Sequence, residues 1–323
     1  MSVLKIKLPA IITCLCLLFS NTIITKVEAA SETNSIYQNA KTQLPPDFYA
    51  LYRIVDRIAR ANEYDTLPWQ IVRVAKYDSQ AFTENANLIP IYNGLLEKLG
   101  SDASALACII SHEMAHHQQG HQVVSNLEKI ELIAQIREEA EKQVLAGDRR
   151  ISPVSTVGDF VVRRVIGGAI GSVVGGVLDN RSNRRFRQAQ QRINTIVEKK
   201  TAELVENIQK QTRENEFEAD KIAYLASVKA GFDPEGCLRA MLVLNRTPGI
   251  EFEQNHPTVE ERIAAIKAMM NEFNTEILVE SGQENLFKTQ PLTYNLSANQ
   301  TSLRVNSRHG ASVADDIDQM FGN

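Results

Sequence analysis

The stretch Ser111-His112-Glu113-Met114-Ala115-His116-His117 constrains this chain more than any other. Residues four apart on an α-helix stand one above the other, so His112 and His116 can turn two imidazole nitrogens toward one point. Glu113 lies beside that pair, where a carboxylate suits a general base acting on water better than a third ligand. Its surroundings fit a buried helix, since Leu106, Ala107, Ile109, Ile110 and Met114 make residues 103–115 apolar nearly all round. Ser101 or Asp102 can cap its start, and Gly120 marks its end. The pattern reads as a zinc-hydrolase site, with two hydrogen-bonded core histidines as the plain alternative.

A metal held by two histidines needs a third protein donor, and a catalytic site keeps a further position open. The candidates are Glu214-Asn215-Glu216-Phe217-Glu218-Ala219-Asp220. On a helix continued through Ala230, the residues Ala219, Ile222, Ala223 and Ala226 share one face, with Glu216 and Asp220 at its border. Glu214 and Glu218 turn toward Lys221 and Lys229, the solvent side. Glu216 is therefore the expected third ligand. Asp220, one turn on, is placed to hold the outer nitrogen of a ligating imidazole. A surface helix with a charge cluster is the alternative.

At 323 residues, 43% hydrophobic and 23% charged, the chain can bury a sizeable core. Its first 29 residues read as a secretory signal peptide: Lys5 and Lys7 precede an apolar run from Leu8 to Phe19, and the small residues Val27 and Ala29 favour cleavage after Ala29. An uncleaved anchor is the alternative, because Ile23 and Ile24 lengthen the run. Cleavage would remove Lys5, Lys7, Lys26 and Glu28, taking the net charge from −4 to −6, which argues against a nucleic-acid partner. The cysteines left, Cys108 and Cys237, are too few for a disulfide scaffold. One bridge and two buried thiols both remain open.

Residues 30–46 are polar and end in Pro45-Pro46, as in a linker or loose N-terminal arm. Leu51, Ile54, Val55 and Ile58 then recur at helical spacing up to about Ala61. Trp69 to Ala75 and Asn87 to Tyr92 read as strands, the second at a sheet edge because Pro90 cannot donate to a ladder. Such an edge either takes up an extended peptide or is an ordinary protected one. Leu127, Ile130 and Ile136 continue at helical spacing to about Gly147. Residues 161–180 are glycine-rich, with Gly167, Gly171 and Gly175 every fourth position and arginines on both flanks. Each glycine costs a helix about 1 kcal/mol relative to alanine, so this insertion needs a close partner to be worth ordering. A cover over the site, a membrane-dipping hairpin, and a self-association surface through Val165 to Leu178 are three readings of it. From Arg184 to about Thr212 the chain is polar and helical. Residues 276–323, rich in Asn, Ser, Gln and Thr, are expected to be a polar, partly disordered tail behind a domain spanning 47–275.

His112-Glu113-Met114-Ala115-His116, followed by Glu216 and Asp220 in an E-x-x-x-D arrangement, resembles the zinc metallopeptidases of the HtpX and CaaX prenyl-protease family. Ala230-Gly231-Phe232-Asp233-Pro234 and His256-Pro257-Thr258-Val259-Glu260-Glu261-Arg262-Ile263 fit the same family, over roughly residues 48 to 270. The resemblance implies an α+β, mainly α, gluzincin-like domain with a small sheet beside the H-E-x-x-H helix. It also implies one Zn²⁺ per chain and hydrolysis of unfolded or misassembled envelope and membrane proteins, by an enzyme of the small exported, periplasmic type. His256 would stabilise an oxyanion or latch the open zinc position, and Arg262 would support the transition state or pair with an acid. His117 and His121 are expected outside the metal's ligand shell. A zinc-bearing periplasmic chaperone acting through the glycine-rich segment is the rival, and the intact Glu113 weighs against it.

Overall fold

In a computed structural model of the chain, residues 35–74, 87–121, 124–146, 182–246 and 256–310 are described, together with Ile317 and Phe321. The expected signal peptide (1–29) and the glycine-rich insertion (161–180) lie outside the described residues. Residues 35–43 form helix α1. Tyr37, Ala40 and Leu44 make one stripe at helical spacing, and Ala40 and Leu44 are buried. The segment expected to be a loose arm is therefore docked, held by the Tyr37 hydroxyl donating to Asp56 at 2.7 Å.

Pro46, whose missing N–H costs nothing in a first turn, opens α2 (Pro46–Ala61). Its Phe48, Leu51, Tyr52, Val55 and Ile58 are fully buried. The sheet has the order β2-β1-β4-β3, from β1 (Trp69–Val74), β2 (Leu88–Tyr92), β3 (Tyr294–Leu296) and β4 (Ser302–Val305). β1 and β2 run parallel, and β4 is antiparallel to both β1 and β3. Among the described residues β2 thus lies at the edge, as Pro90 requires. Trp69, Ile71, Ile89, Ile91, Leu303 and Val305 fill one side, against α2 and the motif helix.

β3 and β4, with α9 (Thr275–Lys288), come from the stretch expected to be a polar tail, so the folded unit runs on to residue 310. Composition concealed this because β4 alternates: Leu303 and Val305 are buried while Arg304 faces out. Buried Asp56 helps fix the return of the chain, accepting from the Leu292 N–H at 2.7 Å, while Tyr52 donates to the Leu292 carbonyl at 2.7 Å. At Gly282 a Cβ would collide with the Lys229 carbonyl, so only glycine lets α9 cross the end of the metal-side helix so closely.

Between these lie α3 (Asn93–Leu99), α4 (Ala103–Gln119), α5 (Asn126–Ala146), α6 (Ser182–Lys229), α7 (Gly236–Asn245) and α8 (Val259–Glu272). No Gly or Pro interrupts α6, whose 48 residues run uncut. At 1.5 Å per residue it is about 70 Å long. It stops at Gly231, φ 83°, where the Phe232 N–H closes on the Ser227 carbonyl at 3.0 Å. Its first half packs along α5, with Lys200 reaching Glu139 at 3.1 Å, and its last half packs on α4. A Cys108–Cys237 disulfide joins α4 to α7. Among the described residues no helix is long and apolar enough to cross a membrane.

Candidate metal centre

Helix α4 is anchored before it reaches the motif. Asp102 caps it by accepting from the Ala105 N–H at 3.0 Å and is itself gripped by Arg239 of α7 at 2.6 Å. One and a half turns of buried apolar residues follow, and they hold His112 and His116 at a fixed depth. Their Nε2 atoms approach to 3.0 Å. Crossing α6 brings Glu216, whose carboxylate oxygens lie 3.4 Å from His112 Nε2 and 3.5 Å from His116 Nε2. One ligand atom from each of the three falls within 4.8 Å of the others, close enough to hold a metal ion. Among the described residues this is the group of that kind that forms.

The outer nitrogen of His112 is also engaged. Nδ1 sits 3.0 Å from Asp220 Oδ1, and Asp220 receives two bonds from Arg262, Nε to Oδ2 at 2.7 Å and Nη2 to Oδ1 at 2.6 Å. Arg262 Nη1 also stands 3.2 Å from Glu216. With Nδ1–H directed at Asp220, the lone pair of Nε2 faces His116 and Glu216, which is the tautomer a ligand needs. Two imidazole nitrogens and a carboxylate suit zinc or a similar divalent ion. The donor set therefore fits the cofactor its residue types imply.

Arg262 arrives on α8, whose first turn is a capping box of Thr258 and Glu261. At 3% exposure it is buried against Asp220 and Glu216, so of its two expected roles the geometry gives it pairing with acids. His256, just before that helix, is near the centre too: its Nδ1 is 3.4 Å from Glu216, and Arg213 holds its carbonyl at 3.2 Å. Glu113 is half-buried on the motif turn, near enough for its charge to be felt by Arg262.

Burial by itself would push the carboxyl groups of Glu216 and Asp220 up and the His112 imidazole down. Hydrogen bonds reverse all three. His112, His116 and His256 hold Glu216 well below the usual carboxylate range, and Arg262 with His112 does so for Asp220. Against its burial, Asp220 and Glu216 lift His112 to about 10. The same field that attracts a proton there attracts a divalent cation.

His117 shows a link that sequence reasoning missed. Its Nδ1 accepts from the Asn87 N–H at 3.2 Å, so its Nε2–H donates to the Leu88 carbonyl, 2.7 Å away. The residue after a metal donor thereby clamps the start of the edge strand. A histidine adjacent to the motif is the only trace of this in the sequence, since the partner strand is 29 residues earlier.

Three donors able to hold a metal ion, with Glu113 on the same turn, make this a candidate centre for metal-assisted hydrolysis. Residues 46–270 match the sequence model of peptidase family M48, and the chain belongs to that family. No curated protein and no solved structure matches it.

Proposed function

We propose that this peptidase is a zinc-dependent endopeptidase of the cell envelope, acting on misfolded or misassembled envelope and membrane proteins. The observation that carries the reading is the convergence of His112, His116 and Glu216 within 4.8 Å, with Glu113 on the same turn. Zinc held by these three residues would polarise a peptide carbonyl and make water easier to deprotonate. Glu113 takes the proton from the attacking water and returns it to the leaving amine. Asp220 and Arg262 keep His112 oriented throughout. His256, partly exposed beside Glu216, is placed to donate to an oxygen that gains negative charge.

The edge strand supports a preference for extended, unfolded chains. In the parallel register Ile89 and Ile91 turn their backbone groups toward β1, leaving those of Leu88, Pro90 and Tyr92 on the outer side. His117 occupies the Leu88 carbonyl and Pro90 has no N–H, so an added peptide would find the Leu88 N–H and the Pro90 carbonyl. The Cys108–Cys237 disulfide, a bond that persists in oxidising compartments, supports an exported protein.

The test is degradation of an unfolded model protein by the zinc-loaded chain beside Glu113→Gln at matched metal content. Loss of a general base lowers the rate by about 100-fold or more. Equal cleavage by both proteins would refute the assignment of Glu113, and cleavage by neither would refute the endopeptidase.

A further inference from the structure

His116 also has a partner for its outer nitrogen, and it comes from a residue that the motif does not include. Gly120 ends α4 in the left-handed conformation, φ 65°, and folds the chain back so that the His121 N–H reaches the His116 carbonyl at 2.9 Å. The His121 ring then lies against the His116 ring, Nδ1 to Nδ1 at 3.1 Å, with its side chain only 8% exposed. On its far side, His121 Nε2 is 3.2 Å from the Glu218 carboxylate of α6.

We infer that His121 and Glu218 are positioning residues that fix the tautomer and aim of His116 toward the metal. The proton count permits one arrangement. If His116 offers the lone pair of Nε2 to the ion, its Nδ1 must carry hydrogen, and that hydrogen points at His121 Nδ1. His121 Nδ1 then accepts, so its own hydrogen sits on Nε2, facing Glu218. Each of the three groups thus determines the next, from a carboxylate on α6 to a donor on α4. His121 is turned away from the metal donors and meets only the outer edge of His116. Gly120 is needed for this as much as for ending the helix, because without the backward fold His121 would not face His116.

The inference rests on the metal reading and is tested through zinc affinity of the purified full chain by chelator competition, with visible spectra of the cobalt-loaded forms alongside. His121→Ala should bind zinc about 10–100-fold more weakly, the usual cost of losing an outer partner of a ligating histidine. His121→Gln, whose amide can accept from one side and donate to the other, should recover most of that loss and restore the parent cobalt spectrum. Glu218→Gln, which keeps an acceptor but loses the charge, should weaken zinc binding less than His121→Ala does, and cost nothing further once His121 is already alanine. Thermal unfolding of the metal-free forms keeps these results apart from general destabilisation. Zinc affinity of His121→Ala within twofold of the parent would overturn the inference, as would a Glu218→Gln effect undiminished in the His121→Ala background. Asp220→Ala serves as the comparison that must weaken binding. A parent chain that binds no zinc would overturn the metal reading and this inference together.

Discussion

His112 and His116 stand one turn apart on the same helix, yet they are supported in opposite ways. Behind His112 is Asp220, 2% exposed and held by two bonds from a buried arginine. Behind His116 is a second imidazole, and only then a carboxylate, Glu218, whose side chain is 53% exposed. One support is sealed and fixed by formal charges, and the other opens to solvent through a neutral ring. A buried charge holds its place when its partners cannot move or be replaced by water, whereas an exposed one is screened. The site therefore has a rigid side at α8 and a softer side at the end of α4.

The largest expected effect strikes the rigid side. Arg262→Ala leaves Asp220 and Glu216 buried without their cation, and removing one partner of a buried pair typically costs about 3–5 kcal/mol. Urea unfolding should show that loss, and a change below about 1 kcal/mol would mean that water replaces the guanidinium and the side is not sealed. Next in size is a comparison of affinities: Asp220→Ala should weaken zinc binding more than His121→Ala, with both inside the 10–100-fold range. The reverse order would invert the contrast between the two sides.

A smaller effect follows from pH. In chelator-treated protein, the raised His112 contributes stability that is complete below the ordinary imidazole value of 6.5 and lost as pH rises through about 10. Melting temperature should fall across that window in the metal-free form and stay level in the zinc-loaded form, where the nitrogen is committed. Zinc affinity should climb over the same range as the competing proton leaves. The smallest expected change is with salt. At 1 M ionic strength, where the screening length is about 3 Å, zinc affinity of the parent should drop slightly, and that drop should vanish in Glu218→Gln. A salt effect that persists without Glu218 would place the soft spot elsewhere.

Much of the rigid side was legible in the sequence. Helical spacing singles out His112, His116 and Glu216, and puts Asp220 one turn after Glu216 on the same side. The proline at position 90 correctly assigns β2 to an edge. What the sequence hid depends on segments that meet from afar. Trp69 pairs with Val305 across the whole domain, and nothing in a polar stretch with two alternating apolar residues announces that pairing. Helix α1 is hard to read for a similar reason, since three residues at helical spacing are a weak signal among polar neighbours. The partner of Arg262 needs the packing of α8 on α6, which has no local signature, and although Gly120 marks the end of α4 it does not show that the turn lays His121 against His116. Two cysteines in a sequence carry no distance, so the pairing of Cys108 with Cys237 is visible only in the fold.

That disulfide has a topological consequence. Cys108 and Cys237, 129 residues apart, close a covalent ring that contains His112, Glu113, His116, Glu216 and Asp220, and leaves His256 and Arg262 outside. A single backbone cut anywhere between 109 and 236 opens the ring without parting it. For an enzyme that cuts polypeptides, a nick in the long stretch between its two donor helices leaves both halves of the centre tethered, and the fragments separate only after reduction.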